Sequence, residues 1–172
     1  DVVGLMKLLG CVDHELEAHP WYPRSGGAPL PWLGDPGDLA IARNMLQGAM
    51  AAAHVRTVCM RTAVVSERAF NRLVDGTRNK ASALISVTFR HLHYLHHAFG
   101  ERGLLVAVDK QGGRDYYREL LMRSFPDASL KVLEESGKSS AYALTEKTGA
   151  GTRGSIIFFR EKGDGLFFAT AL

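Results

Sequence analysis

The sequence LLVAVDKQGGRDYY, residues 104–117, decides the predicted fold. Its first five residues form a short, continuous apolar run, which is typical of a central strand covered on both faces. A polar stretch with two glycines follows, and residues 114–124 then have the composition of a helix. A strand that passes through a glycine turn into a helix indicates the α/β class, in which ligands bind at the carboxyl ends of strands.

On both sides of this unit, the sequence alternates between helical and extended patterns. We predict helices over residues 1–18, 39–53, 66–74 and 79–101, and strands over residues 55–65, 130–134, 140–144 and 154–160. The helix over 79–101 carries apolar or small residues at three- and four-residue spacing, which predicts one buried stripe. The stripe consists of Ala81, Leu84, Ile85, Thr88, Leu92, Leu95 and Phe99. Asp35 is predicted to cap the helix that follows it.

The length of 172 residues predicts a single α/β domain with a mixed sheet flanked by helices. We expect this domain to be a fragment truncated at both ends. The chain opens on Asp1 inside an apolar helical pattern, and its last residues, 167–172, form an apolar run without a stop signal.

Residues 19–37 form a Pro/Gly/Trp-rich loop that holds five of the six prolines and both tryptophans, Trp21 and Trp32. Loops of this length and composition are often functional. Two interpretations stay open, a flap that faces a substrate and an insertion that packs on the surface.

Composition excludes some classes of protein. The longest apolar runs fall well short of the roughly 20 residues of a membrane helix, so no membrane partner is expected. Two cysteines, Cys11 and Cys59, are too few for a disulfide framework and too far apart for a zinc site, which favours a reducing, cytoplasmic compartment. Residues 54–102 contain eight Lys or Arg against three Asp or Glu, a net +5. Such a basic segment fits a polyanionic partner or an ordinary solvated helical face.

Asp109 is the principal candidate for a functional residue. It ends the predicted central strand, where a carboxylate can hold a hard cation through oxygen. Gly112 and Gly113 would let the backbone pass close to a ligand, and the following helix start offers amides to an anion. We select Gln111, Arg114 and Lys138 as possible contacts to phosphate. The alternative is that Asp109 only caps a turn made by the glycines.

Two further groups of residues could bind metal. Glu134 and Glu135 end a predicted strand, and either would be a second metal ligand if it lay near Asp109. Ordinary turn chemistry explains them equally well. His93 and His97 share a helical face and are a possible metal pair, but this face lies opposite the predicted buried stripe and no nearby Cys, Asp or third His completes a site, so metal binding is not the favoured interpretation. His91 and His96 flank the stripe, where packing is the favoured interpretation.

The order of these elements, with Asp109 at a strand end and the segment from Glu135 to Tyr142, resembles ribonuclease HII and its relatives. The resemblance covers residues 55–172, and residues 169–172 resemble the start of a helix that bears a later aspartate in that family. It implies a ribonuclease H-like fold and cleavage of the RNA strand of RNA–DNA hybrids with Mg²⁺ or Mn²⁺ held by carboxylates. Asp109 matches the family's strand-end aspartate, whereas Lys110 stands where the family has glycine.

Three hypotheses for the function follow. The first is a metal-dependent nuclease of ribonuclease H type, of which this chain carries part of the active site. The second is a non-catalytic module of the same fold that binds nucleic acid or nucleotide. The third is a structural domain that binds a protein partner through the aromatic loop. A single carboxylate cannot hold the two cations of such a nuclease, so we expect the nuclease to need further acidic residues.

Overall fold

A computed structural model describes residues 1–10, 30, 34–111, 113–160 and 170–171. These residues fall into two compact units, Asp1–Arg72 and Leu73–Leu172. We describe each unit by itself, and the prediction of one domain over residues 1–172 stays a prediction. Most of the predicted loop over residues 19–37, including Trp21 and Trp32, lies outside the described residues.

The first unit contains helices α1 (Val2–Leu8) and α2 (Pro36–Ala52) and the beginning of α3 (Glu67–Thr77), which continues into the second unit. Asp35 caps α2 as predicted, because its carboxylate accepts a hydrogen bond of 2.7 Å from the Gly37 amide. The prediction of a strand over residues 55–65 is wrong. This segment is irregular, because no strand of the described residues pairs with its backbone, and its side chains Val55, Val58 and Met60 are exposed.

The second unit confirms the predicted mixed α/β architecture. Helix α4 (Lys80–Phe99) leads through a 3-10 turn (Gly100–Arg102) into strand β1 (Leu104–Asp109), and helix α5 (Arg118–Ser124) follows. The remaining strands are β2 (Ala128–Glu135), β3 (Ser139–Thr148), β4 (Gly151–Arg160) and β5 (Thr170–Ala171). The sheet order is β2-β3-β4-β1-β5. Strand β4 runs parallel to β1, and the other pairs are antiparallel.

The core of this unit lies on one face of the sheet. Alternate residues of β1, β3 and β4 point into it and pack against apolar side chains of α4 and α5. The cluster consists of Ile85, Phe89, Leu92, Leu104, Val106, Val108, Tyr117, Leu121, Phe125, Tyr142, Leu144, Ile157 and Phe159. We call this side of the sheet the helical face and the opposite side the second face.

Three local predictions need correction. Strand β1 is not fully buried on both sides, because Leu105 and Ala107 on the second face are only half-buried. The buried stripe of α4 is rotated from the predicted one, so that Leu84 is exposed while Phe89 and His96 are buried. Strand β5 stands where residues 169–172 were expected to begin a helix, because its backbone pairs with Leu104 and Leu105 of β1.

Neighbouring residues of α5 offer a direct test of this core. Leu121 is 0% exposed within the cluster, whereas Met122 is 51% exposed. We expect Leu121→Ala to lower the free energy of unfolding by about 2–5 kcal/mol, because it removes buried methyl groups and leaves a cavity.

Urea unfolding measures the loss, and Met122→Ala is the matched control, with an expected change of about 0.5 kcal/mol or less. Equal losses in the two variants would contradict the position of α5 on the sheet.

Candidate functional site

The candidate site lies at the end of the sheet formed by the carboxyl ends of β1 and β4. Here the loop after β1 meets the turn between β2 and β3. The Lys110 ammonium donates hydrogen bonds to the Asp115 carboxylate at 2.8 Å and to the Gly137 carbonyl at 2.6 Å. The Ser140 hydroxyl donates to the Asp115 carbonyl. We call the residues 109–111, 113–115 and 136–139, together with Arg160, the rim.

Lys110 has a structural role in the rim. Its side chain is only 8% exposed, and its charge is compensated by Asp115. Its backbone amide also donates to the Arg160 carbonyl at 2.8 Å, which extends the pairing of β1 with β4. Lys110, which departs from the glycine of the ribonuclease HII pattern, therefore joins three segments of the rim and is not available to a ligand.

Two buried tyrosines hold the loop from below. The backbone amide of Tyr117 donates to the Tyr142 hydroxyl at 2.9 Å, and this hydroxyl donates to the Glu135 carboxylate at 2.6 Å. The Tyr117 ring stacks on Phe159 with 3.7 Å between ring centroids. The Tyr117 hydroxyl accepts a hydrogen bond of 2.9 Å from the backbone amide of Gln111.

These tyrosines stay protonated across the physiological range. Burial, followed by the hydrogen bond to Glu135, raises the pKa of Tyr142 to about 12. Burial also raises the pKa of Tyr117. Both hydroxyls therefore keep the hydrogen that the network requires.

These contacts explain why α5 begins later than predicted. Residues 114–117 were expected to be helical, but α5 starts at Arg118. The Arg114 amide donates to the Gln111 carbonyl in a turn, and Asp115 and Tyr117 are bonded to side chains of β3. Contacts with the sheet thus replace the first turn of the helix.

The predicted ligand contacts divide between two directions. Gln111 and Arg114 lie toward α4. The side-chain amide of Gln111 donates to the Thr88 hydroxyl at 2.7 Å, and the Arg114 guanidinium lies 3.4 Å from the Ser82 hydroxyl. Lys138 lies in the turn beside Gly137, which Lys110 contacts. Gly113 has a φ of 64°, a conformation that favours glycine. Gly112 lies outside the described residues.

Asp109 stands at the exposed end of β1, on the second face of the sheet. Its nearest neighbour across the sheet is Arg160, which in turn pairs with Ser139 of β3. The side chain of Asp109 makes no hydrogen bond or ion pair with any residue in the described part of the chain. Its carboxylate is therefore available to a cation or to a polar ligand.

The structure does not bring Glu134 or Glu135 to Asp109. Strand β2 is three strand spacings from β1, which corresponds to about 14 Å. Moreover, the two glutamates point to opposite faces. Glu135 accepts from Tyr142 on the helical face, and Glu134 accepts from the hydroxyls of Ser136 and Ser139. Each has the partners of a structural residue.

The described residues do not fit a two-metal centre. Over residues 1–10, 34–111 and 113–160, no three His, Cys, Asp or Glu side chains come together as possible ligands of one metal ion. His93 stacks on Phe125 with 4.1 Å between centroids, and His97 faces Arg153, so neither points to a shared metal. Asp109 is exposed at the end of β1, and its carboxylate has no partner among the described residues.

Comparisons with family models, with curated proteins and with solved structures give no match for this chain. Within the described helices, none is long and apolar enough to cross a membrane. The geometry of the rim is therefore the basis for any functional proposal.

The tyrosine network can be tested by removing one hydroxyl group. We expect Tyr142→Phe to lower the free energy of unfolding by about 1–3 kcal/mol, because it leaves the buried Tyr117 amide without an acceptor. Chemical denaturation measures this change. Tyr116, which is 65% exposed, supplies the control Tyr116→Phe, with an expected change within about 0.5 kcal/mol. An unchanged stability of Tyr142→Phe would contradict the network.

Proposed function

We propose that this chain binds nucleic acid through the rim, and that the partner is an RNA–DNA hybrid or a related duplex. The observation that carries this proposal is a set of cations without acidic partners. Arg114, Lys138 and Arg160 make no ion pair with a residue of the described ranges, whereas Lys110 is paired with Asp115. Unpaired cations grouped at one edge attract the phosphates of a nucleic acid backbone.

The arrangement of the rim supports phosphate contacts in two further ways. Lys138 precedes Ser139, the first residue of β3, and Ser139 pairs in register with Arg160 of β4, so the Lys138 turn adjoins the strand end that carries Arg160. Gly113 carries no side chain at the turn, where nothing lies within 4 Å of the position that a Cβ atom would take. A backbone phosphate could therefore approach the loop closely, as is common for glycine turns that bind anions.

The resemblance to ribonuclease HII gives the class of nucleic acid to test. It implies an RNA–DNA hybrid as partner, and a ribonuclease H-like fold is part of the proposal. Proteins of this kind recognise a duplex mainly by its backbone and shape, which agrees with a rim that offers cations and hydroxyls and few groups for reading bases.

Binding should weaken when a rim cation is neutralised. We expect Arg114→Gln, Lys138→Gln and Arg160→Gln each to reduce affinity for a labelled RNA–DNA hybrid, and to lower the slope of log K against log salt by about 1. One lost contact corresponds to about a threefold smaller change in affinity between 50 and 200 mM salt. Fluorescence anisotropy over this salt range measures both quantities.

The matched control is Arg123→Gln. Arg123 lies on α5 beside Glu119 and outside the rim, so this substitution should leave the salt slope unchanged. If Arg123→Gln weakens binding as much as the rim variants do, the contact surface lies elsewhere. If the chain binds no hybrid at low salt, the proposal is wrong.

A second candidate function is metal-dependent hydrolysis of the bound hybrid. The observation that favours it is Asp109, an exposed carboxylate without a described partner at the end of β1. Mg²⁺ and Mn²⁺ prefer such oxygen ligands, so Asp109 would be one ligand of a bound ion, which would supply charge stabilisation for hydrolysis of a phosphodiester. The further ligands would come from outside the described residues, because Glu134 and Glu135 lie about three strand spacings away.

Hydrolysis has its own test. With Mn²⁺ present, we expect the protein to cleave the RNA strand of a hybrid, and Asp109→Asn to reduce the rate by about a hundredfold or more. Gel analysis of an end-labelled strand measures the rate, and Asp75→Asn on α3 is the control. Cleavage that survives Asp109→Asn would exclude Asp109 as a ligand. Binding without cleavage would favour the non-catalytic module.

A further inference from the structure

A second polar cluster lies at the opposite end of the sheet from the rim. Its centre is His96, in the last turn of α4, which is 2% exposed. One ring nitrogen, Nδ1, lies 2.7 Å from the Ser155 hydroxyl of β4. The other, Nε2, lies 3.3 Å from the Glu146 carboxylate of β3 in a geometry that forms no hydrogen bond. One imidazole thus touches both strands of a hairpin.

Charged groups surround this imidazole on several elements. Arg153 of β4 lies 3.6 Å from Glu146, 3.1 Å from the His97 ring and 3.5 Å from Glu101 of the 3-10 turn. His93 and His97 of α4 and Asp127 after α5 line, with His96 and Glu146, a small cavity beside the ring. Glu146 is the acidic group closest to His96, but it is shared with Arg153.

Two alternative roles for this cluster fail on geometry. Ser155, His96 and Glu146 have the residue types of a hydrolytic triad, but Ser155 is buried within the sheet and does not line the cavity, so a substrate cannot reach its hydroxyl. A metal site is opposed by Arg153, whose positive charge lies beside both Glu146 and His97.

We propose that His96 forms a pH-sensitive contact between the end of α4 and the β3–β4 hairpin. The neutral ring stabilises this contact, and protonation of the ring destabilises it. The neutral ring satisfies the Ser155 hydroxyl without a charge. The protonated ring would place a cation in a buried site next to Arg153, and burial of an incompletely paired charge is costly. Glu146 offsets only part of this cost because Arg153 shares it.

The direction of the effect follows from the surroundings of the ring. Burial lowers the pKa of His96, the charge of Glu146 raises it, and His97 and Arg153 lower it, with a net decrease from 6.5. The unfolded chain therefore binds this proton more readily than the folded chain does. Stability from His96 is complete above about pH 6.5 and is lost as the pH falls through the lower folded-state pKa.

The first measurement is an NMR titration of the His96 ring in the whole chain. We expect a midpoint below 6.5, a still lower midpoint in Glu146→Gln, and a higher midpoint in Arg153→Gln. Because these shifts have opposite signs, a general loosening of the structure cannot produce both. A midpoint at or above 6.5, or shifts of the reverse signs, would overturn the proposal.

The second measurement is urea unfolding at pH 7.5 and pH 5. For each pH unit by which folding lowers the pKa of His96, the ratio of folded to unfolded chain should fall up to about tenfold more on acidification. His96→Gln should remove this part of the pH dependence. His54, which is exposed with a φ of 54°, supplies the control, since Asn tolerates that conformation and His54→Asn should keep the dependence on His96.

If His96→Gln does not fold, the titration of the unsubstituted chain still decides the question. If His96→Gln folds and retains the full loss of stability at pH 5, His96 is excluded as the pH-sensitive contact. His93, whose pKa is also lowered by burial and by His97, would then be the next histidine to replace.

Discussion

The arrangement of the rim depends on the two hydrogen bonds of the Tyr142 hydroxyl. This hydroxyl lies in an apolar cluster, where an unpaired polar group is costly, and it is satisfied twice, as acceptor from Tyr117 and as donor to Glu135. This pairing joins β3, the loop after β1 and the end of β2. Because Tyr117 also stacks on Phe159, the loop cannot shift without disturbing the core. The position of the candidate contacts with nucleic acid follows from this constraint.

The two ends of the sheet use charge differently. At the rim, Lys110 is neutralised by Asp115 and serves the structure, which leaves Arg114, Lys138 and Arg160 for an anionic partner. At the opposite end, Arg153 is surrounded by acidic and imidazole groups and has no comparable freedom. A negatively charged ligand would therefore be attracted to the first end, whereas the second end responds to protons.

Local signals predicted several of the described elements, because they concern contacts between residues that are near in sequence. The apolar run of β1, the cap at Asp35 and the long helix α4 are of this kind. Predictions failed where a distant partner was needed. Residues 55–65 have the composition of a strand, but no strand of the described residues pairs with them. The buried face of α4 leaves out Leu84 and includes Phe89, because packing against the sheet decides which face is covered. His96 packs as expected, and its polar ring is accepted in the core because the Ser155 hydroxyl meets it.

The sequence by itself determined that a central strand would deliver Asp109 to a glycine turn, since apolar runs and turn residues act over a few neighbouring positions. Only the tertiary structure decided which side chains share that edge. It placed Glu134 and Glu135 three strands from Asp109 and on opposite faces, and it used Lys110 as a link to Gly137. Strand order and register set these distances, and they depend on the packing of the whole sheet.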